Sequence, residues 1–294
     1  PAAHHQSGAR RLRGVLSSVR IACLVACYNR RDTTVRALRA LQSQVVPGVD
    51  VQLDLFLTDD GSTDGTADAV ARMWPGAIIR HGDGSLFWAK SMALAEQSAA
   101  ATDPDYYLWL NDDTLLDPGA LATLLRVSAD HPQAIVFTLT RDPETGEFTY
   151  GGRNQLGDHP IRHGELHATT EANVHHGFDT FEGNCVLIPR AVHDAVGLID
   201  DEFPHAYADT DYALRARAAG FPLLQAPGSI ATCPANPPRT PADSWDAAWQ
   251  TLQSPKGYPW AAQKRFLQRH GDWRWPAWLV AGQARHLVRL RTGR

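Results

Sequence analysis

The sequence predicts an α/β fold: a mostly parallel central sheet with helices on both faces, and a helical appendage at the C-terminus. Short apolar runs alternate with helix-like segments over the first half of the chain, and this alternation is typical of βαβ units. Polar residues at 28–30, 59–62 and 111–113 each follow one of the apolar runs. Ligands of parallel sheets bind beyond the carboxyl ends of the strands, so the three polar clusters indicate a site.

Apolar runs, helical spacing and turn residues predict the individual elements. In chain order they are a strand at 21–27, a helix from 32 or 33 to 43, a strand at 51–60, a helix from 63 or 64 to 74, a strand at 77–80, a helix at 85–101, a strand at 106–110, a helix from 117, a strand at 181–188, a helix from 189 and a helix at 208–219. Residues 141–177 lose this periodicity and are rich in glycine and histidine, which predicts a hairpin and mobile loops beside the site.

Length and charge limit the class of protein. The chain has 294 residues and a formal net charge of -4, which suits one large domain with an appendage and excludes a strongly basic nucleic-acid binder. We expect a flexible basic N-terminus at 1–19, a main domain at 20–233 and a helical, tryptophan- and arginine-rich segment at 234–294. Neither a signal peptide nor a membrane span is expected.

The four cysteines, Cys23, Cys27, Cys185 and Cys233, lack the spacing of zinc ligands. Cys23 and Cys27 lie at even spacing in an apolar run, which places both on one face of a strand. We interpret the cysteines as buried structural thiols, and the compartment as a reducing cytoplasm.

The sharpest signal of chemistry is Asn111-Asp112-Asp113, directly after an apolar strand. Two adjacent carboxylates repel each other unless a cation lies beside them, and Mg²⁺ or Mn²⁺ prefers carboxylate oxygens together with substrate phosphates. The alternative is a turn that leads into the helix predicted at Asp117.

Two further acidic clusters lie at element ends. Asp60 ends the second strand, where its carboxylate can accept hydrogen bonds from a nucleobase, although a turn and helix cap are the alternative. Asp211 can pair with Arg215 one helical turn later. Asp209 is then free to face the pocket as a general base, and partial burial would have to offset the effect of the helix dipole on its pKa.

A set of ordered motifs resembles the family 2 glycosyltransferases of the GT-A fold, particularly the rhamnosyltransferase-like branch of bacterial surface-polysaccharide biosynthesis. The resemblance covers residues 20 to about 233. The motifs are ACYNRRD, LTDDGSTDGT, GDGSLFWAKSM, YYLWLNDDT, FEGNCVLIPR, VGLIDDEF and ADTDYALRARAAGF.

The resemblance implies a nucleotide diphosphate sugar as donor, with dTDP-rhamnose and a UDP-hexose as the candidates, and Mg²⁺ or Mn²⁺ as cofactor. It places Asp113 as the direct metal ligand of a DxD-type motif and Asp112 on the ribose or metal side. The residues expected to hold the nucleotide and its phosphates are Ala26, Tyr28, Asn29, Asp60, Lys90 and Asp112.

The same resemblance implies transfer with inversion to a hydroxyl of a glycan or lipid-linked glycan. Asp209 matches the catalytic base. The residues expected to border the donor sugar and acceptor are Trp88, Gly183, Asn184 and Asp211. Trp88 could equally belong to the core.

Three positions depart from the family pattern. Ala208 stands before Asp209 where a glutamate is common, and Ala89-Lys90 replaces Gly-Gly after the LFW motif. Cys233 ends the segment where many members carry a metal-binding histidine, so that ligand is absent or replaced. A QxxRW motif is also absent, which favours transfer of one sugar per event.

Tryptophans and arginines interleave at 259–294. This composition suits an interface with anionic lipid on the inner face of the plasma membrane; a helical cap on the core and a dimer surface are the alternatives. Histidines at 159, 163, 167, 175 and 176 are spaced irregularly, and we interpret them as solvated or acceptor-facing rather than metal-binding.

Two other functions are considered. A sugar-phosphate nucleotidylyltransferase would carry a glycine-rich basic loop after the first strand, and ACYNRRD contains no glycine. A non-catalytic sugar-nucleotide-binding or scaffold protein is the non-enzyme alternative, and Ala208 is the feature that suggests it.

Overall fold

The structure, a computed structural model, describes residues 18–237 and 240–293. The predicted flexible N-terminus lies outside these residues, except for the last two of its nineteen, with which the first strand begins. The strands are β1 (Ser18–Cys27), β2 (Asp50–Asp59), β3 (Ile78–His81), β4 (Tyr106–Leu110), β5 (Leu115–Leu116), β6 (Ile135–Arg141), β7 (Gly152–Arg153), β8 (Thr180–Phe181), β9 (Cys185–Pro189) and β10 (Leu223–Thr232). The helices are α1 (Arg31–Gln42), α2 (Thr66–Met73), α3 (Phe87–Ala100), α4 (Ala120–Asp130), α5 (Arg190–Val196), α6 (Ala208–Ala218), α7 (Trp245–Gln253), α8 (Trp260–His270) and α9 (Trp275–Thr292).

Eight strands form the central sheet in the order β3-β2-β1-β4-β9-β6-β10-β5. The first four are parallel neighbours, whereas β9 runs antiparallel to both β4 and β6. The register of β1 and β2 places Cys27 opposite Asp59. The chain therefore leaves both strands at the same level, and the polar residues that follow them become neighbours.

Helices cover both faces of the sheet, as predicted. Alternate side chains of β1 enter two separate cores because strand residues point to opposite faces. Leu24 packs in the core that includes Met92 of α3 and Tyr212 of α6. Cys23 packs in the core that includes Leu38 of α1. All four cysteines are buried free thiols, as expected.

Several element boundaries differ from the sequence predictions. The strand predicted at 181–188 is interrupted at residues 182–184, which separate β8 from β9. The helix predicted from 117 begins at Ala120, after Gly119 in a left-handed conformation with φ of +83°. The helix predicted from 63 or 64 begins at Thr66. The carboxylate of Asp64 accepts from the amides of Thr66 and Arg31, and so joins the first residues of α2 and α1.

Helix α8 packs against the core of the main domain, where Phe266 and Leu267 are fully buried. Arg269 and His270 at its end bind the buried carboxylate of Asp211, each at 2.7–2.8 Å. Arg265 pairs with Asp200. The segment thus caps the core through α8, the alternative to membrane contact considered above. Within the described ranges, we find no helix with the length and apolarity needed to cross a bilayer.

Candidate active site

A cavity of about 200 Å³ opens at the carboxyl ends of β1, β2 and β4, where the three polar clusters meet. It combines apolar, aromatic, acidic and basic groups, which is the mixture expected for a polar ligand with a ring system. The lining residues are Ala26, Cys27, Tyr28, Arg30, Asp60, Gly84, Phe87, Trp88, Ser91, Asp112, His205 and Lys256.

Asp60 forms part of the cavity wall and organises the loop that precedes α3. Its Oδ1 accepts from the amides of Gly84 and Leu86 at 2.9 and 3.2 Å, and Oδ2 accepts from Phe87 at 2.9 Å. A Cβ at Gly82 would lie 2.3 Å from Oδ1 of Asp60, so this close approach requires glycine. The carboxylate is largely used within the protein, and a contact with a nucleobase stays a prediction.

Tyr28 and Asn29 occupy different places although they are adjacent. Tyr28 is half exposed and presents its ring to the cavity. Asn29 has a left-handed φ of +51°, and its Oδ1 accepts from the amide of Thr63 at 2.8 Å. The side chain of Asn29 thus ties the end of β1 to the loop after β2, and it is not part of the cavity wall.

Arg30 bridges the two aspartates that follow β4. Its Nη1 donates to Oδ1 of Asp112 at 3.0 Å and to Oδ2 of Asp113 at 2.7 Å. Burial raises the pKa of Asp112 to about 6; the cation of Arg30 opposes this shift, and the charge of Asp113 adds to it. The guanidinium supplies the positive charge that two adjacent carboxylates require.

The carboxylate of Asp113 is the strongest candidate for a metal ligand. One of its oxygens accepts from Arg30, and the other contacts Sγ of Cys233 at 3.5 Å. No cluster of three or more histidine, cysteine or acidic side chains suited to a metal occurs within residues 18–237 and 240–293. One or two carboxylates together with substrate phosphates and water suffice for Mg²⁺ or Mn²⁺. The residues therefore fit a cation that arrives with a diphosphate.

Asp209 lies in the first turn of α6, after Tyr207 in a left-handed conformation with φ of +76°. Its Oδ2 accepts from the amide of Gly183 at 3.1 Å, and Oδ1 accepts from the amide of Thr210 at 2.7 Å. Burial raises its pKa, and the two backbone hydrogen bonds only partly oppose the shift. A raised pKa increases the basicity that a general base needs.

The turn at residues 182–184 connects Asp209 with the acidic pair. Gly183 contacts Asp209, while Nδ2 of the next residue, Asn184, donates to Sγ of Cys233 at 3.3 Å. Cys233 in turn contacts Asp113. Only this short chain of contacts separates the two carboxylates, so both lie at the same end of the sheet.

Trp88 serves both of the roles considered from the sequence. Its ring packs edge-to-face on the buried Trp109, with centroids 5.9 Å apart. It also lines the cavity, and its Nε1 donates to Oδ1 of Asn111 at 2.8 Å. A Cβ at Gly183 would lie 3.0 Å from this ring, so glycine permits the contact between the turn and the indole.

Besides Asn29, two residues expected at the site lie elsewhere. Lys90 is exposed on α3 and is not part of the cavity wall. Asp211 is fully buried and binds Arg215, Arg269 and His270 rather than a pocket. The predicted pairing of Asp211 with Arg215 is present, because the two residues are one helical turn apart.

Sequence reasoning missed seven of the twelve residues of the cavity wall, and three of the seven have basic side chains. Arg30 belongs to the motif ACYNRRD, and its position directly after Asn29 at a strand end could have indicated a place in the cavity wall. His205 and Lys256 come from irregular segments near α6 and after α7, and neither lies in a pattern that predicts a site.

Comparisons with known proteins identify the family of the chain. Residues 22–196 match the family model described as glycosyl transferase family 2. Two strains of Mycobacterium tuberculosis have an N-acetylglucosaminyl-diphospho-decaprenol L-rhamnosyltransferase that is 24% identical over 203 residues. That match covers 60% of this chain and 65% of the relative, slightly less than two thirds of its length.

Solved structures share the fold. TarS of S. aureus superposes with a TM-score of 0.53 at 15% identity, covering 85% of this chain and 43% of TarS. The mannosyltransferase PcManGT from Pyrobaculum calidifontis, in complex with GDP-Man and Mn²⁺, gives 0.52 at 15% identity, with 94% and 82% covered. These similarities confirm the predicted GT-A fold. The family model covers more than half of the chain, and the protein belongs to glycosyl transferase family 2.

Proposed function

We propose that the protein is an inverting glycosyltransferase that moves one sugar from a nucleoside diphosphate sugar to an acceptor hydroxyl. The observation that carries this proposal is the turn at 182–184, which links Asp209 to Asp113 through Gly183, Asn184 and Cys233. A base and a diphosphate-binding group at one end of the sheet are what a single displacement requires.

In the proposed reaction, the acceptor oxygen forms a bond to the anomeric carbon on the face opposite the diphosphate. Asp209 takes the proton from that hydroxyl. The bond between the anomeric carbon and the diphosphate oxygen breaks, and the nucleoside diphosphate leaves with the electron pair. Burial of Asp209 supports its role, because a carboxylate with a raised pKa accepts a proton more readily.

The donor would occupy the cavity beside Tyr28. The exposed ring of Tyr28 suits stacking on a base, while Arg30 and Lys256 provide positive charge on the wall. The name of the mycobacterial relative favours dTDP-rhamnose, and a UDP-hexose is the second candidate.

Asp113, with Asp112, would hold Mg²⁺ or Mn²⁺. The Mn²⁺ complex of the structurally similar mannosyltransferase supports this assignment. A cation there would neutralise charge on the departing diphosphate. Arg30 now holds both carboxylates, so it would have to release at least one of them.

The acceptor would be a growing bacterial surface glycan or a lipid-linked glycan, and the diphospho-decaprenol in the relative's name favours the second. We therefore also propose peripheral contact with an anionic membrane through α9. Trp273, two residues before this helix, is 85% exposed, and Val280 and Val288 within it are 59% and 47% exposed. The second and third of these residues are about two helical turns apart, so they share a side of the helix.

A thermal-shift panel of nucleotide sugars, with Mn²⁺ or with a chelator, tests the donor. A ligand at 100 times its Kd stabilises a protein by about 2.7 kcal/mol, so the donor should raise the melting temperature. Release of the nucleoside diphosphate from that donor should require an acceptor. Release of pyrophosphate from a nucleoside triphosphate and a sugar 1-phosphate would instead indicate a nucleotidylyltransferase. Binding with no release of a nucleoside diphosphate under any acceptor would indicate a binding protein.

A further inference from the structure

A second cavity, of about 210 Å³, lies between the loop after β7 and the C-terminal helices. His159 and Arg162 of the loop line it, together with Tyr207 before α6 and Trp278 and Arg285 of α9. A depression of about 290 Å³ shares four of these five residues, so the two spaces adjoin. The reaction proposed above assigns no role to either.

The wall of the second cavity is positively charged. The side chains of Arg162 and Arg285 are exposed, and neither has an ion pair or side-chain hydrogen bond with any residue that the structure describes. The carboxylate of Asp158, at the edge of the depression, is already paired with Arg274. Burial lowers the pKa of His159, and the charges of Arg285 and Arg162 lower it further. Two unneutralised guanidinium groups in a concave site favour a phosphate-type anion.

Aromatic rings surround these charges. Trp278 packs on His159 with centroids 4.6 Å apart, and Tyr258 stacks on His286 at 4.3 Å. The hydroxyl of Tyr207 is buried and has no hydrogen-bond partner among the described residues. Apolar ring faces beside an anion site suit a molecule that joins a phosphate to a sugar or a hydrocarbon chain.

The two cavities share a wall. His205 and Lys256 line the donor cavity, whereas Tyr207 and Tyr258, two residues further along each segment, line the second cavity. Asp209 follows Tyr207 by two residues, in the first turn of α6. A ligand in the second cavity would therefore lie against the segment that carries the proposed base.

We propose that the second cavity binds a phosphate or diphosphate group of the acceptor through Arg162 and Arg285, with the acceptor hydroxyl directed towards Asp209. The proposal rests on the proposed function, since it assigns the acceptor side of the same site. It also gives the loop after β7 a role in selecting phosphorylated acceptors over neutral glycans.

The test uses inorganic pyrophosphate as the probe, in calorimetric titrations without metal and with the donor cavity filled by the nucleoside diphosphate that stabilises the protein most. The double variant Arg162→Gln/Arg285→Gln should bind pyrophosphate at least about tenfold more weakly than the wild type, because two charge-assisted contacts are lost. The control Arg36→Gln, an exposed arginine on α1, should bind like the wild type. Equal affinity of the double variant and the wild type would overturn the proposal.

Two further measurements separate the outcomes. In transfer assays the double variant should raise KM for the acceptor at least about tenfold and leave KM for the donor unchanged; a change confined to the donor would overturn the assignment. If the variant lost binding to phosphatidylglycerol vesicles but kept its affinity for pyrophosphate, the arginines would serve the membrane instead. If no nucleoside diphosphate bound at all, the proposed function would fail, while titration with pyrophosphate alone would still decide the cavity.

Discussion

The amide of Gly183 donates to Oδ2 of Asp209. The Trp88 ring lies so close to the same glycine that an added Cβ would be 3.0 Å from it. One residue without a side chain thus positions the proposed base and accommodates an aromatic wall of the donor cavity. The turn that contains it separates β8, which pairs with β7 in a small second sheet, from β9 of the central sheet. The passage of the chain from one sheet to the other therefore has a role in building the site.

Replacing Asp209 with asparagine should abolish most transfer. The amide cannot accept the hydroxyl proton, and general-base assistance contributes roughly 10²–10⁴-fold, so kcat should fall at least about 100-fold while nucleotide binding persists. The measurement is initial-rate kinetics with the donor found in the thermal-shift panel. Asp68→Asn, at an exposed position of α2, is the matched control, and near wild-type turnover of Asp209→Asn would remove the base assignment.

The raised pKa of Asp209 should appear in the pH profile. The carboxylate acts only when deprotonated, and burial raises its pKa, so kcat should decline on acidification at a higher pH than a free aspartate would give. That reference value is about 3.9. Rates measured from pH 4 to 8, with nucleotide affinity followed in parallel, test this expectation. If kcat declined only near or below the pKa of a free aspartate, the result would argue against a buried base.

Replacing Arg30 with glutamine should strengthen Mn²⁺ binding in the absence of donor. The guanidinium contacts both Asp112 and Asp113, and it competes with any cation for these oxygens. The gain should be a few-fold, because the Arg30 side chain is half exposed and exposed ion pairs are weak. Electron paramagnetic resonance of free Mn²⁺ measures it, with Arg31→Gln as the control; weaker binding would show that Arg30 helps to hold the metal.

Local patterns in the sequence predicted much of this arrangement. The ends of β1, β2 and β4 could be assigned because apolar runs stop at polar clusters, and parallel pairing brings such ends together. The position of Asp209 at the start of a helix and the pairing of Asp211 with Arg215 one turn later followed from helical periodicity.

Contacts that depend on distant segments could not be predicted. Arg269 binds Asp211 across 58 residues of sequence, and nothing in either local pattern specifies the partner. Lys256 reaches the donor cavity from a turn after α7, whereas Lys90, placed at the phosphates by its motif, faces solvent on α3. The orientation of α3 about its own axis decides where Lys90 points. The packing of the C-terminal helices decides where Arg269 and Lys256 lie.

Replacing Asp211 with asparagine should destabilise the protein. The carboxylate is fully buried and pairs with Arg215, Arg269 and His270, so its loss leaves cations without their counter-charge. We expect the free energy of unfolding to fall by roughly 3–5 kcal/mol, the cost of breaking a buried pair. Urea unfolding measures it, and Asp201→Asn, at an exposed position, should change it by less than about 0.5 kcal/mol. Equal effects of the two variants would contradict a docking role for this network.

Val280→Asp should reduce binding to anionic vesicles. Val280 is 59% exposed on α9, and a carboxylate there would both remove apolar contact and repel acidic headgroups. Deleting the C-terminal segment is a poorer test, because α8 contributes Phe266 to the main core and its removal would damage the fold. Co-sedimentation with phosphatidylglycerol vesicles measures the effect.

The matched control for this surface is Val45→Asp, since Val45 is 71% exposed in the connection between α1 and β2. If both variants sediment with vesicles as the wild type does, α9 does not contact the membrane. A different result is possible: the wild type does not bind vesicles, and Val280→Asp converts a dimer to a monomer. In that case the exposed side of α9 is a contact between two copies of the chain. Light scattering on the same samples distinguishes these outcomes, because the mass in solution changes only in the second case.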